Sequence, residues 1–175
     1  MLNKVLLLCN ILIFGCIFNS CKNEDPKENP DIIGSFTWNE WQEKSGWADH
    51  SASDYMPDSV CLVELKTLID AGFNPNLEIY ASNWCYKDCA TQLPKIIKFL
   101  KASGISENSI IIYGLNRTKT EPVDAMGKWS IAFPNENCYV PTLVIYMDNE
   151  IRGKVKCEAS DFPLWQCEIP LLIGN

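Results

Sequence analysis

Histidine is nearly absent: the 175-residue chain holds one, His50, in a polar segment. A cysteine–histidine nucleophilic pair would have to use it, so hydrolase classes that need such a pair lose most of their support. Positive charge is also scarce. Fifteen Lys and Arg stand against 22 Asp and Glu, giving a formal charge of −7. No Lys/Arg-rich run is present to neutralise phosphates, which argues against nucleic acid as a partner. No internal repeat or low-complexity tract appears. The longest apolar run falls short of the roughly 17–25 residues that a bilayer-spanning helix needs.

What is present suits one globular domain behind a short targeting segment: 47% of residues are hydrophobic and 21% charged, enough for one core. In the first 21 residues Lys4 is the only charge, and Val5 to Phe18 is almost continuously apolar over about 14 residues. That is the layout of an export signal, with an uncleaved membrane helix as the weaker reading. Phe18-Asn19-Ser20-Cys21 resembles the cleavage box of bacterial lipoproteins, with Ile13-Phe14-Gly15-Cys16 as a second candidate. The resemblance implies a signal peptide over 1–20 and a mature chain lipid-anchored at Cys21. The protein would then be exported to the cell envelope and touch the membrane only through its lipid. A secreted protein without lipid is the alternative. Residues 21–35 read as a tether, because Lys22 to Ser35 is rich in Lys, Glu, Asp, Asn and Pro and has little apolar surface to bury.

The domain is expected over 36–175. Thr37 suits the cap of a short helix carrying Trp38, Trp41 and Trp47, which read as packing residues. Pro57 to Ala71 carries Cys61, Leu62, Leu65, Leu68 and Ile69 at helical spacing, with Gly72 to end it. These form a helical extension, 36–72. Leu77 to Ser82 reads as a strand, Cys89 to Ala102 as an amphipathic helix, and Ser109 to Leu115 as a second strand, parallel to the first. Thr142 to Met147 and Ile151 to Lys156 read as an antiparallel hairpin, and a last helix is expected near Asp161 to Leu172, with Pro170 interrupting its end. The long segment Asn116 to Tyr139 either covers a sheet edge or sets Trp129 and Phe133 along a groove. The fold class is α/β, a central mixed sheet flanked by helices.

Four local signatures occur in order: Trp84-Cys85 between a strand and a helix, a second cysteine at Cys89, Pro94 five residues beyond it, and Val140-Pro141-Thr142 leading into a strand. Together they resemble the thioredoxin superfamily from Leu77 to the C-terminus. The resemblance implies a thioredoxin-like fold, a cis peptide before Pro141, and thiol–disulfide exchange through Cys85 and Cys89. It also implies that Trp84, Val140 and Pro141 contact the substrate. The partners would be cysteine-containing proteins and an upstream redox partner, with no cofactor. Elementary chemistry points the same way: a cysteine at a helix N-terminus has its thiolate stabilised and becomes a nucleophile near neutral pH. Cys89, one turn on, is placed to resolve the mixed disulfide.

The chain departs from the family in one respect, since three residues rather than two separate the cysteines. Related copper-delivery proteins share that spacing but add a downstream histidine, which is missing here, so no metal is expected. The carboxylate that the family often buries under the cysteines would fall at Ile79; neighbouring Glu78 is the candidate proton acceptor. No Thr-x-x-Cys pattern precedes the helix, against a peroxide-reducing enzyme. Sequence leaves the pairing of the remaining cysteines open, with a structural Cys157–Cys167 bridge favoured by proximity and Cys138 either an auxiliary thiol or a small buried hydrophobe. The function expected is an envelope thiol–disulfide oxidoreductase. The alternative is a non-catalytic binding lipoprotein with a structural Cys85–Cys89 disulfide.

Overall fold

The computed structural model describes residues 30–47, 52–157 and 164–174. The chain divides into Met1–Pro30 and Asp31–Asn175, and the helices and strands of the described residues all belong to the second unit. The signal peptide, Cys21, His50 and the start expected for the last helix at Asp161 lie outside the described residues. No helix among the described residues is long and apolar enough to cross a membrane.

Five strands form one mixed sheet. In chain order the elements are β1 (Gly34–Phe36), α1 (Trp38–Ser45), α2 (Ser59–Asp70), β2 (Asn76–Ala81), α3 (Cys89–Ala102), β3 (Ile110–Gly114), α4 (Val123–Ala132), β4 (Thr142–Met147), β5 (Glu150–Lys156) and α5 (Leu164–Gly174). The strands lie in the order β1-β3-β2-β4-β5. Only the β2–β3 pair is parallel, as expected for a strand, helix, strand unit built around α3; β1, β4 and β5 join antiparallel.

Local chemistry sets most boundaries. Thr37 and Glu40 form a reciprocal capping box at the start of α1, and the Asp58 side chain accepts from the backbone N–H groups of Val60 and Cys61 at the start of α2. Gly72 takes a left-handed φ of 97° just past α2, a conformation that costs glycine little. Asp148 and Asn149, with φ of 52° and 65°, turn β4 into β5.

Alternation along β2 decides which helices cover which face. Glu78 and Tyr80 look toward α4, where Tyr80 meets Trp129 with ring centroids 5.1 Å apart. Leu77, Ile79 and Ala81 look the other way. On that second side Gly153, paired with Ile145, lies where a Cβ would come within 2.8 Å of Leu172 in α5, and Phe99 of α3 packs edge-on against Trp165 of α5 at 5.7 Å. Trp41 from α1 also packs there, so close to Gly114 that a Cβ would strike its ring and the Ile32 carbonyl. Lys98 in α3 donates to the carbonyls of Ala52, Ser53 and Tyr55 at 2.7–3.0 Å, tying the loop before α2 to α3.

Four expectations about the fold need correction. The segment read as tether through Ser35 already belongs to the sheet at its end: Gly34–Phe36 pairs with β3, and Ile32 N–H donates to the Asn83 side chain at 3.0 Å. The Asn116–Tyr139 segment contains a helix, α4, and its Trp129 covers a sheet face rather than an edge. Pro170 lies within α5 instead of interrupting its end. Its missing N–H leaves one rung unmade, but the ring is buried, and the helix is held at Cys167 by a disulfide.

That disulfide is also the correction to the bridge expected between Cys157 and Cys167. Cys167 pairs with Cys61 across a sequence separation of 106, with Cα atoms 4.9 Å apart. Nearness in sequence misleads here because helix rotation turns Cys167 toward α2. Cys157, by contrast, is fully buried at the end of β5, its N–H donating to the Pro141 carbonyl at 3.0 Å. Asp58 lies beside the bridge, but the two sulfurs bond each other and the carboxylate caps α2, so no metal-ligand set results.

Candidate functional site

Cys85 lies in the short link between β2 and α3. Cys89 N–H donates to its carbonyl at 2.8 Å, the i to i+4 bond of a first helical turn. The three intervening residues are therefore accommodated as ordinary helix geometry, and both cysteines are free thiols. Their surroundings differ sharply. Cys85 is half-buried, whereas Cys89 is 0% exposed and lies 4.0 Å from the Ser82 hydroxyl.

That asymmetry sets their acidities. The thiol hydrogen bond from Cys89 is the largest influence on Cys85; burial opposes it, and the backbone N–H groups of Cys89 and Asp88 add to it, while the Asp88 charge works against it. The outcome is a Cys85 pKa lowered from 9.0 to about 6. Cys89 moves upward, mainly because burial penalises its thiolate and secondly because its proton is engaged by Cys85. One cysteine is thus a thiolate at neutral pH and the other a thiol.

The Val140–Pro141 peptide is cis, and the Val140 carbonyl lies 3.6 Å from Cys85 Sγ. Both residues are buried. Trp84 is half-buried, and its indole N–H donates to the Leu115 carbonyl at 3.3 Å. Pro94 is buried inside α3. The structure therefore brings Trp84, Cys85, Cys89, Val140 and Pro141 together.

It does not bring Glu78 to them. Glu78 is 8% exposed, on the α4 face, and its oxygens accept from Tyr113 and Lys128 on one side and from Tyr80 and Tyr146 on the other. Strand alternation explains the miss: a residue adjacent to Ile79 must face the opposite layer. The cluster raises the pKa of Lys128, chiefly through its bond to Tyr113 and then to Glu78, and burial raises those of Tyr80, Tyr113 and Tyr146. The cluster joins three strands to α4. Glu78→Ala is expected to lower unfolding stability by about 2–3 kcal/mol, because three hydroxyls and an ammonium lose their acceptor. Urea denaturation reads this directly, and Cys85 alkylation at pH 7 is expected to stay within about twofold.

Sequence reasoning overlooked the surroundings of Tyr139. Lys156 lies 4.0 Å from its ring centroid and Lys119 5.8 Å, while Lys119 Nζ donates to the Cys138 carbonyl at 2.6 Å. The lysines are far apart in sequence, so no local motif marks them. Cys138 itself is 4% exposed, and burial pushes its thiol up to about 12, which suits a buried hydrophobe better than an auxiliary nucleophile.

No protein-family model matches the chain, and no curated protein matches it. Among solved structures, an HIV epitope scaffold aligns at 13% identity and a TM-score of 0.46, covering 76% of this chain and 81% of its own. A protein of unknown function from Pseudomonas aeruginosa aligns at 13% identity and 0.43, covering 78% and 81%.

Proposed function

We propose that the chain is a thioredoxin-like, lipid-anchored thiol–disulfide oxidoreductase of the cell envelope, exchanging disulfides with cysteine-containing proteins through Cys85 and Cys89. The observation that carries this reading is the asymmetry of the pair: a half-buried Cys85 with a depressed pKa beside a fully buried Cys89 with a raised one. The placement of the Val140 carbonyl against Cys85 Sγ, at 3.6 Å, supports the thioredoxin-like part. The anchor rests on the sequence around Cys21.

The chemistry follows from the two environments. Cys85 thiolate attacks one sulfur of a substrate disulfide; a new S–S bond forms, the old one breaks, and the second substrate sulfur leaves as a thiolate. Formation of the mixed disulfide removes the Cys85 charge and its hydrogen bond, the two influences besides burial that hold the Cys89 pKa up. Cys89 can then lose its proton, for which the departing substrate thiolate is a competent acceptor. It attacks Cys85 Sγ and forms the Cys85–Cys89 disulfide. The substrate leaves as a dithiol, reduced by two electrons. A dithiol partner protein would return the pair to its reduced state, and the reverse sequence oxidises a substrate.

The depressed pKa has a sign that can be checked. Above pH 6 Cys85 is mostly thiolate, and as the pH falls below 6 its reactivity drops about tenfold per unit. Iodoacetamide alkylation of the reduced protein, followed by peptide mass spectrometry, is expected to give a Cys85 midpoint near 6. A midpoint near the ordinary 9 would remove the basis of the nucleophile assignment.

One observation favours the non-catalytic alternative, with Cys85–Cys89 as a structural bridge: Glu78, the proton acceptor expected from the sequence, faces the other layer and cannot serve Cys89 as a base. The two readings separate by redox titration, since a bridge resisting reduction below about −300 mV would be structural.

A further inference from the structure

Tyr139 precedes the residue whose carbonyl meets Cys85, and it is 42% exposed. Two ammonium groups flank its ring, Lys156 at 4.0 Å and Lys119 at 5.8 Å from the centroid. Neither has a carboxylate partner among the described residues, whereas neighbouring Lys154 is paired with Glu136 at 2.5 Å. The loop that presents Lys119 is built with care. Lys119 takes a left-handed φ of 55°, its N–H donates to the Asn116 carbonyl at 3.0 Å, and the Asn116 side chain accepts from the N–H groups of Thr120 and Glu121. A non-glycine residue in that region is uncommon and has to be held by its surroundings. The result is two cations with no carboxylate partner among the described residues, gathered on the ring that precedes Val140, in a chain whose formal charge is −7.

Two ammonium groups held at one exposed ring attract acidic segments. The reacting group is a thiolate, so whatever is attracted must also offer a sulfur. Holding both ammonium groups on one ring reduces the side-chain freedom they lose on binding.

We infer that Tyr139, Lys119 and Lys156 form a subsite for a partner protein segment that carries Asp or Glu beside the cysteine of its disulfide. The inference rests on the exchange reading above. During the step the acidic residues lie along Tyr139 while their neighbouring sulfur is attacked by Cys85; the substrate disulfide is reduced and the Cys85–Cys89 dithiol is oxidised.

The test uses the full chain in its reduced form and three peptides with one internal disulfide each, identical except for Asp, Ser or Lys flanking the attacked cysteine. Stopped-flow Trp fluorescence gives the second-order rate constants. At low salt the Asp peptide is expected to react about tenfold faster than the Ser peptide, and the Lys peptide more slowly than either, with the spread shrinking at roughly 0.5 M salt. In K119Q/K156Q the Asp-to-Ser ratio falls to near 1, while K119R/K156R, which keeps the charge, keeps the ratio. An Asp-to-Ser ratio near 1 in the unaltered protein, or one that survives K119Q/K156Q, overturns the subsite and leaves exchange standing. No reaction with any of the three peptides overturns the exchange reading and the subsite with it.

Discussion

Cys85→Ser is expected to abolish disulfide exchange, with the rate constant for insulin reduction falling by at least about a thousandfold, because a hydroxyl with no depressed pKa replaces the thiolate. Cys89→Ala should fail differently. The attack by Cys85 still proceeds, since its backbone N–H donors from Cys89 and Asp88 remain, but nothing resolves the product. The mixed disulfide therefore accumulates and is visible as a covalent adduct on a non-reducing gel. The loss of the Cys89 thiol hydrogen bond, the largest influence on Cys85, should also move the alkylation midpoint upward from about 6. Exchange unaffected by both substitutions would eliminate the proposed chemistry.

The second large effect concerns stability. The Cys61–Cys167 bridge closes a sequence separation of 106 and joins α2 to α5. Cross-links over loops of that size restrict the unfolded chain strongly, so Cys61→Ser is expected to lower the unfolding free energy by about 3–5 kcal/mol. Both sulfurs lie where apolar helices meet, Cys61 at 1% exposure, so a serine there would also bury a hydroxyl. Cys61→Ala/Cys167→Ala separates the two costs, and the urea midpoint should fall for both variants. Adding reductant to either variant should then produce little further change, whereas the unaltered protein should lose stability on reduction. A loss below about 1 kcal/mol in both variants would show that packing between α2 and α5 suffices without the bond.

The parts of the fold that were legible in the sequence are those with strong periodicity. The bounds of α3 and β4 agree with the pattern of Leu93, Ile96, Ile97 and Leu100 and of the β-branched run after Pro141. The parts that were not legible lack such a pattern. Strand β1 has three residues and follows a polar, proline-containing stretch, so nothing local separates it from a tether. Helix α4 buries only Ala125 and Trp129, too few for a clear stripe, and Gly127 weakens it further. The disulfide was hidden for a different reason: its cysteines meet only because α2 and α5 pack together on one sheet face. Around the site, Trp84, Cys85, Cys89, Val140 and Pro141 were all readable as motif positions. Their acidities were not, since these depend on which cysteine the fold buries.

The two outer strands of the sheet bear on behaviour at high concentration. At one end β1 offers only three residues for pairing. At the other, β5 alternates Glu150, Arg152, Lys154 and Lys156 along its length, and its register with β4 slips between Ile145 and Tyr146. Short length, charge and a bulge are the devices by which open sheets avoid joining end to end with copies of themselves. Molecules crowded together would meet edge to edge often, and these borders give such encounters little continuous ladder on which to seed fibrils.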